Sequence, residues 1–299
     1  MINIEQSCGL FGYSKQAYYK RIEHHESKAF DEYLILDLIH QRRKIWKKGS
    51  GRNLLASLKD DFNQHKIKIG RDKFFDLLRT HNLLIKKKSR RAVTTNSYHH
   101  FHRYPNLIRE LVTNKPNHIW VSDITYVWIQ KEACFMYLFL ITDMYSRKII
   151  GYSLRKNLKA QGAIQAVKMA IKQSKGISLN QTIHHSDRGI QYCCNDYIKI
   201  LNRHAINISM TENSDPLENA IAERVNRTIK EEFMDDYKSG YKSIQIAQNH
   251  IRRSIEFYNE IRPHRSIEML TPNQAHQRTG QLKRLWKNYY KNKTLNLVN

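Results

Sequence analysis

Three carboxylates occupy positions in this 299-residue sequence that local structure does not require. Asp123 shares one face of a predicted strand with residues 119, 121, 125 and 127, which are Ile, Val, Thr and Val. Burying a carboxylate on such a face is costly unless a cation or several hydrogen-bond donors compensate its charge. Asp187 comes just past the end of a second predicted strand, and Glu223 lies on a predicted helix after 35 further residues, 188–222.

Each carboxylate also has a purely structural interpretation, which the residues leave open. Asp123 can be a structural aspartate, Asp187 can cap the helix that follows it, and Glu223 can face water. Their combination on a strand, after a strand and on a helix favours a shared chemical role. Hard oxygen ligands held by a rigid sheet suit Mg²⁺ or Mn²⁺ and do not suit a zinc site.

The helix that carries Glu223 has a predicted start and a predicted buried face. Asp215 is a natural N-cap, Pro216 suits the first helical position, and Glu218 completes a capping box. The buried face is predicted from apolar residues that recur every four positions, namely Leu217, Ile221, Val225, Ile229 and Phe233. Glu223 lies on the opposite face of this helix.

Two basic side chains share the face that carries Glu223. Lys230, seven residues further on, returns to nearly the same direction, and Arg227 lies beside it. A helix face with an acid flanked by cations is suited either to exposure to solvent or to binding a metal ion and a phosphate group. Both basic side chains are therefore candidate contacts to a polyanion.

The elements that must position these residues form an α/β domain. Strands are predicted over 119–128, 135–143, 148–154, 181–185 and 206–210, with helices over 159–174 and 191–202. Three strands followed by alternating helix and strand predict a mixed five-stranded sheet with flanking helices. An all-α segment precedes this domain.

The charge of the chain indicates a nucleic-acid partner. Lysine and arginine exceed aspartate and glutamate by 51 − 27 = 24. Residues 42–103 hold 18 basic and four acidic side chains, which gives +14 in 62 residues. Solubility alone would spread the charge more evenly, so a phosphate-binding module is the better interpretation.

That basic module has the pattern of two short helices around a tight turn at residues 66–70. The second helix begins with the basic residues Arg71 and Lys73, as in a helix-turn-helix, although an ordinary helical hairpin fits the pattern equally well. A basic run follows, which is either a solvated linker or a contact to the DNA backbone, and its cationic members are Lys86, Lys87, Lys88, Arg90 and Arg91.

The remaining composition favours a cytoplasmic protein. No apolar run approaches the roughly 20 residues that a bilayer requires, and the N-terminus lacks the features of a secretory signal. The four cysteines form no metal-binding pair and are expected to be reduced thiols. We expect the histidine-rich stretch 98–102 to be part of a linker.

The motifs VSDITY, HSDRGIQY, DPLENAIAERVNRTIKEEF and YNEIRPHRS resemble the acidic-triad transposases of bacterial insertion sequences. More narrowly, the chain is similar to the second-frame protein of the group with a retroviral-integrase-type core. The resemblance implies an RNase H-like fold and assigns the catalytic triad to Asp123, Asp187 and Glu223. It also implies that Lys230 approaches DNA ends near the active site.

The same resemblance implies an organisation and a set of partners. We expect a helical leader over 1–34, a helix-turn-helix module with a basic linker over 35–104, an integrase core over 113–279 and a basic tail over 280–299. The expected partners are double-stranded DNA and further copies of the chain on that DNA. The upstream frame's own helix-turn-helix and leucine zipper are absent, so a fusion with that frame is a further expectation.

The function that follows is metal-dependent nicking and strand transfer at the ends of an insertion sequence, in association with the bacterial nucleoid. Two Mg²⁺ ions held by the triad would activate the attacking hydroxyl and stabilise the leaving one. Two alternatives stay open, namely a DNA-binding regulator with a non-catalytic α/β domain and an RNase H-type nuclease. Metal-dependent nicking separates the regulator from both enzymes, and joining separates the transposase from the nuclease.

Overall fold

The computed structural model describes residues 4–85, 102, 104–212, 218–234 and 240–286. The cationic run made up of Lys86, Lys87, Lys88, Arg90 and Arg91 lies outside these ranges, as do the predicted helix start at residues 215–217 and positions 287–299 of the predicted tail. No helix in the described part of the chain is long and apolar enough to cross a membrane.

Five helices precede the sheet. They are α1 (Ile4–Leu10), α2 (Lys15–Ile45), α3 (Gly51–Ser57), α4 (Lys59–Gln64) and α5 (Arg71–Thr80). Ser14 caps α2, because its hydroxyl accepts a hydrogen bond from the Ala17 N–H at 3.0 Å. The 31-residue α2 runs without interruption through residue 34, where the sequence suggested the end of a separate leader.

The sheet and its helices follow in alternation. The strands are β1 (Ile119–Ile129), β2 (Cys134–Asp143), β3 (Ile149–Arg155), β4 (Ile183–Ser186) and β5 (Asn207–Met210). The helices are α6 (Gln161–Gln173), α7 (Ile190–Cys193), α8 (Asn195–Arg203), α9 (Ala220–Thr228), α10 (Ile244–Glu260) and α11 (Pro272–His276). A π-helix, Ile229–Phe233, continues α9, and a 3₁₀ turn, Arg265–Ile267, follows α10.

The five strands form one mixed sheet in the order β3-β2-β1-β4-β5. β1 pairs antiparallel with β2 and parallel with β4, while β4 pairs parallel with β5. One face packs against α6 and α8, and the other packs against α9 and α10. The predicted RNase H-like architecture of a mixed five-stranded sheet with flanking helices is confirmed.

The N-terminal helices and the sheet domain share one hydrophobic core. Trp46 follows α2, is fully buried, and has its ring centroid 6.2 Å from that of Phe233 and 5.7 Å from that of Phe257. The buried side chains of α2, α3 and α5 join the same cluster as Leu138 and Leu140 of the sheet. The two parts of the chain are therefore packed together and are not joined by a linker alone.

The helix that carries Glu223 starts later than the sequence pattern predicts. α9 begins at Ala220, with Asn219 as its N-cap. The Glu218 carboxylate, expected in a capping box, instead accepts a hydrogen bond from the Glu212 N–H at 2.6 Å and pairs with Arg109 at 3.2 Å. The predicted cap itself involves Asp215 and Pro216, which lie outside the described residues, and it stays a prediction. The buried positions Val225, Ile229 and Phe233 are confirmed.

Candidate active site

The register of two parallel strands places Asp187 beside Asp123. In the pairing of β1 with β4, Ile119 lies opposite Ile183 and Val121 lies opposite His185. Extended by two residues, this register sets Asp187 opposite Asp123, and parallel strands lie roughly 4.8 Å apart. Because side chains two residues apart share a face of the sheet, both carboxylates lie on the side that α9 covers.

Helix α9 supplies the third carboxylate. Its buried residues Ala222 and Val225 pack on the sheet, and Ala222 shares a cluster with Val121 of β1. The Asn219 side chain donates a hydrogen bond to the Ser122 carbonyl at 3.0 Å, which ties the start of α9 to the strand position next to Asp123. Glu223 lies at the exposed edge of this packed face.

The three carboxylates interact electrostatically. Burial raises the pKa of Asp123 from 3.8 to about 7, and the negative charges of Asp187 and Glu223 contribute to this rise. The Ile124 N–H, which donates to the Asp123 carboxylate at 2.8 Å, opposes part of the rise in this pKa. The pKa of Glu223 is also raised, first by burial and then by Asp187. Strand, turn and helix thus place three mutually repelling acids in one cluster.

Several buried polar atoms around this cluster have no hydrogen-bond partner among the described residues. They are the Tyr192 hydroxyl, the Asn219 Oδ1 and both polar atoms of the Asn226 amide. Each side chain is at least nine-tenths buried, and unpaired polar groups are costly in such places. Sequence reasoning missed Asn226 and Tyr192. The spacing of three residues from Glu223 would have placed Asn226 on its side of the helix.

Asp187 also has a local structural role, but it is not the helix cap that the sequence left open, since Gly189 is the N-cap of α7 and no side chain caps that helix. The Asp187 Oδ1 accepts a hydrogen bond from the Gly189 N–H at 3.1 Å, in the turn that leads into α7. Among the described residues, no three His, Cys, Asp or Glu side chains stand in the arrangement of a metal-binding group. The acids are therefore close enough to repel one another without forming a closed set of ligands.

The two histidines before Asp187 are buried and neutral. His184 Nε2 lies 2.7 Å from the Ser122 hydroxyl and 2.9 Å from the Tyr197 hydroxyl, and burial lowers the pKa of this imidazole to about 3. His185 Nδ1 lies 2.8 Å from the Ser209 hydroxyl, and burial lowers its pKa to about 4. They support β4 as neutral hydrogen-bonding groups.

The predicted DNA-contacting residues fall into two regions. Arg227 is exposed on α9 and pairs with Glu231 at 2.9 Å, while Lys230 lies half-buried in the π-helix. Arg71 and Lys73 are exposed in the first turn of α5, where Arg71 pairs with the adjacent Asp72. Of the predicted DNA-contacting residues that the structure describes, only Arg227 and Lys230 lie on the helical segment that carries Glu223.

Two family models, both described as integrase core domain, match residues 113–216 and 204–272. Among solved structures, the integrase catalytic core domain of HTLV-2 in complex with magnesium is similar at 19% identity. That match covers 54% of this chain and 97% of the other, with a TM-score of 0.41. A simian T-cell lymphotropic virus intasome is similar at 15% identity over 78% of this chain and 80% of the other, with a TM-score of 0.44. Similarities this low add nothing to what the sheet topology shows.

Relatives in bacteria are more informative. The insertion element IS600 uncharacterized 31 kDa protein of Shigella sonnei is 31% identical over 279 residues, which is 92% of this chain and 99% of that protein. Transposase InsF for insertion sequence IS3A of Escherichia coli (strain K12) is 32% identical over 56% of this chain and 57% of its own length. A putative transposase for IS986/IS6110 of Mycobacterium tuberculosis is 32% identical over 49% and 53%. The chain thus spans about half the length of each of these two transposases.

The family follows from three findings. A relative matches nearly the whole of this chain, two integrase-core models match its second part, and the mixed five-stranded sheet is present. The chain therefore belongs to the insertion-sequence transposases with an integrase-type core.

Proposed function

We propose that Asp123, Asp187 and Glu223 form the catalytic centre of a DNA transposase that nicks one strand at the end of its insertion sequence and joins that end to a second DNA site. The observation that carries this proposal is the pKa of Asp123, raised to about 7 by burial and by the charges of the other two acids. Strongly shifted pKa values in a cluster of acids are typical of functional sites. Ligands of open α/β sheets also bind where strands such as β4 end.

The donor chemistry fits Mg²⁺ or Mn²⁺, and we propose two ions. Carboxylate oxygens are the ligands that these ions prefer. A cation among the three acids would offset both the burial of Asp123 and the repulsion that raises its pKa. The unpartnered amide of Asn226 and hydroxyl of Tyr192 add polar groups beside the acids. When bound, such ions supply activation of the attacking hydroxyl and neutralisation of the transferring phosphate.

The protein's own contribution is positioning and charge. Phosphoryl transfer depends mostly on alignment and on stabilising negative charge. Glu223, Arg227 and Lys230 lie within two turns of one continuous helical segment, so one stretch of phosphodiester backbone would meet the acid and both cations. The buried histidines are neutral at physiological pH, and we therefore assign them no proton transfer.

A second DNA contact lies outside the sheet domain. Arg71 and Lys73 are exposed at the start of α5, which packs against α3 as the second helix of the candidate helix-turn-helix. We propose that they bind DNA phosphates. The cationic run that follows α5 extends this surface in our proposal, through Lys86, Lys87, Lys88, Arg90 and Arg91.

The proposed assembly is a homo-oligomer on double-stranded DNA, because two element ends and a target must be held together. A fusion with an upstream-frame protein is part of the same proposal, and it would add a further DNA-recognition module. The proposed setting is the bacterial nucleoid, where the net charge of +24 would favour DNA.

The test incubates the purified chain with DNA that carries its flanking terminal repeats, in Mn²⁺ or Mg²⁺, and separates nicked from joined products. Asp123→Asn, Asp187→Asn and Glu223→Gln should each abolish both products. A variant that combines two of these substitutions should lose no more activity than either single variant, since the acids act as a unit. Full activity in any single variant would remove that residue from the centre.

Two matched controls test specificity. Asp196→Asn on α8 and Glu256→Gln on α10 remove exposed carboxylates outside the acidic cluster and should leave both products unchanged. Nicking without joining would indicate a nuclease. DNA binding without metal-dependent nicking would indicate a regulator.

A further inference from the structure

The first half of α2 presents an apolar face that nothing in the described chain covers. At 3.6 residues per turn, six apolar side chains between positions 18 and 33 fall within an arc of about 120°. Five of them are large and exposed by 36–70%, namely Tyr18, Tyr19, Ile22, Phe30 and Tyr33. The sixth is Ala29, and the charged side chains that project into the arc are Glu26 and, one turn before Tyr18, Lys15. Contiguous apolar surfaces of this kind mark interaction sites.

This face is not a continuation of the protein's own core. In the second half of α2 the buried residues are Ile35 and Ile39, which pack in the cluster shared with the sheet. Projected along the helix axis, these two positions lie about 140° away from the middle of the exposed arc. The helix therefore uses one side to join the fold and turns a different side to an outside partner.

The charge around this face argues against nucleic acid as the partner. Residues 15–34 hold four basic and four acidic side chains and are neutral, in a chain whose net charge is +24. A surface built to bind phosphates would carry the excess of cations found in residues 42–103. A protein partner fits this neutral and aromatic surface better.

The charges along α2 are also separated from end to end. Positions 15–22 carry Lys15, Lys20 and Arg21 and no acid. Positions 23–34 carry four acids, Glu23, Glu26, Asp31 and Glu32, and one lysine, Lys28. Two such helices laid side by side in opposite directions match positive ends with negative ends, whereas a parallel pair sets like charges together.

We propose that the first half of α2 is a self-association surface, which pairs antiparallel with the same segment of a second copy of the chain. A two-fold axis across the helix midpoint makes the contact self-complementary, as a closed dimer requires. This inference gives a surface to the homo-oligomer proposed above. It is tested without DNA, so its failure is distinguishable from a failure of the proposed strand transfer.

The first experiment measures self-association of the full chain by sedimentation at several concentrations. Phe30→Glu places a charge within the apolar arc, at a side chain that is 66% exposed, and should weaken association about tenfold or more. The matched control is Ser27→Glu, which adds the same charge to an exposed position outside the arc and should leave association unchanged. Circular dichroism verifies that both variants keep their helix content.

The second experiment tests the orientation. Lys20→Glu combined with Arg21→Glu lowers the net charge from +24 to +20, so general repulsion between copies falls. An antiparallel contact nevertheless predicts weaker association, because both ends of the helix then lack net positive charge. Stronger association in this variant would indicate a parallel pair and overturn the proposed geometry.

Three outcomes would overturn the self-association surface itself. One is a wild-type chain that stays monomeric at high concentration. Another is equal association of Phe30→Glu, Ser27→Glu and the wild type. The third is a loss of DNA affinity in Phe30→Glu with unchanged association, which would make DNA the occupant.

Discussion

Replacing Asp123 by asparagine should stabilise the fold while it abolishes the reaction. The pKa of Asp123 is about 7 in the native state, against 3.8 for an ordinary aspartate. The native state therefore holds a proton that the unfolded chain releases, and stability falls as the pH rises through the window from about 4 to 7. A difference of about three in pKa corresponds to about 4 kcal/mol, the full cost above pH 7. Asparagine has nearly the same shape and does not carry that charge.

The assay is thermal unfolding of the wild type, Asp123→Asn and the exposed control Asp196→Asn, without divalent ions, at pH 8 and near pH 4. We expect Asp123→Asn to melt roughly 5–10 °C above the wild type at pH 8, since each kcal/mol shifts the midpoint by a few degrees in a chain of this size. Near pH 4 the two midpoints should lie close together, because the native carboxyl is then protonated and nearly half of the unfolded chains carry the same proton, so most of the cost is gone. Asp196→Asn should follow the wild type at both pH values.

Divalent ions complete the test. Mg²⁺ or Mn²⁺ should raise the wild-type midpoint at pH 8, since an ion that binds only the native state stabilises it by mass action. The same ions should have little effect on Asp123→Asn. A variant less stable than the wild type at pH 8 would refute the electrostatic argument. Equal stabilisation of both proteins by the ions would place the metal site elsewhere.

Further predictions concern residues around the site. Lys230→Ala should slow joining about tenfold or more, while the metal-dependent rise in melting temperature persists. Lys230→Arg should retain part of the joining rate. An unchanged joining rate in Lys230→Ala would contradict a phosphate contact. Arg71→Ala and Lys73→Ala should each reduce the slope of log affinity against log salt by about 0.9, and an unchanged slope would place the DNA elsewhere. Glu232→Gln should destabilise the fold by about 3 kcal/mol because it breaks a buried ion pair. The exposed neighbour Glu231→Gln should cost less than about 1 kcal/mol in the same denaturation assay, and equal effects would contradict the burial argument.

Much of the fold follows from the sequence because the sheet is encoded by short apolar runs with clear ends. All five predicted strands form, and their bounds differ from the pattern by one or two residues. Asp123 stands out in sequence because its strand face is otherwise apolar or small, and in the structure Ile119, Val121, Thr125 and Val127 are indeed buried. The position of Asp187 follows as well, since it comes directly after a short strand, where sites of open α/β sheets usually lie.

Features that depend on contacts between distant segments do not follow from the sequence. The partners of Glu218 are one of them, since Arg109 and the Glu212 N–H engage its carboxylate. Helix α2 is another, because its sequence does not show that its first and second halves turn their apolar side chains in different directions. The buried Asn226 could be located by its spacing from Glu223, but its unpartnered amide is visible only in three dimensions.

The contact between the N-terminal helices and the helical segment that carries Glu223 is the clearest example, and it carries a mechanistic consequence. The Glu232 carboxylate, in the π-helix that continues α9, accepts hydrogen bonds from the Trp46 indole at 2.7 Å and from Arg262 at 2.6 and 2.8 Å. The Glu232 carbonyl accepts another from the Lys48 N–H at 3.0 Å. Such π-helical turns occur frequently at functional sites.

Because Trp46 and Lys48 follow α2 directly, a displacement of α2 by bound DNA would act on the helical segment that holds Glu223. The link joins residues 186 positions apart, which no local pattern reveals. It also makes truncation a poor way to separate DNA binding from catalysis, since removal of the N-terminal helices would take away two donors to Glu232 and expose Phe233 and Phe257. Point variants such as Glu232→Gln keep that core filled. They therefore separate a loss of coupling, seen as slower joining at unchanged DNA affinity, from a loss of binding itself.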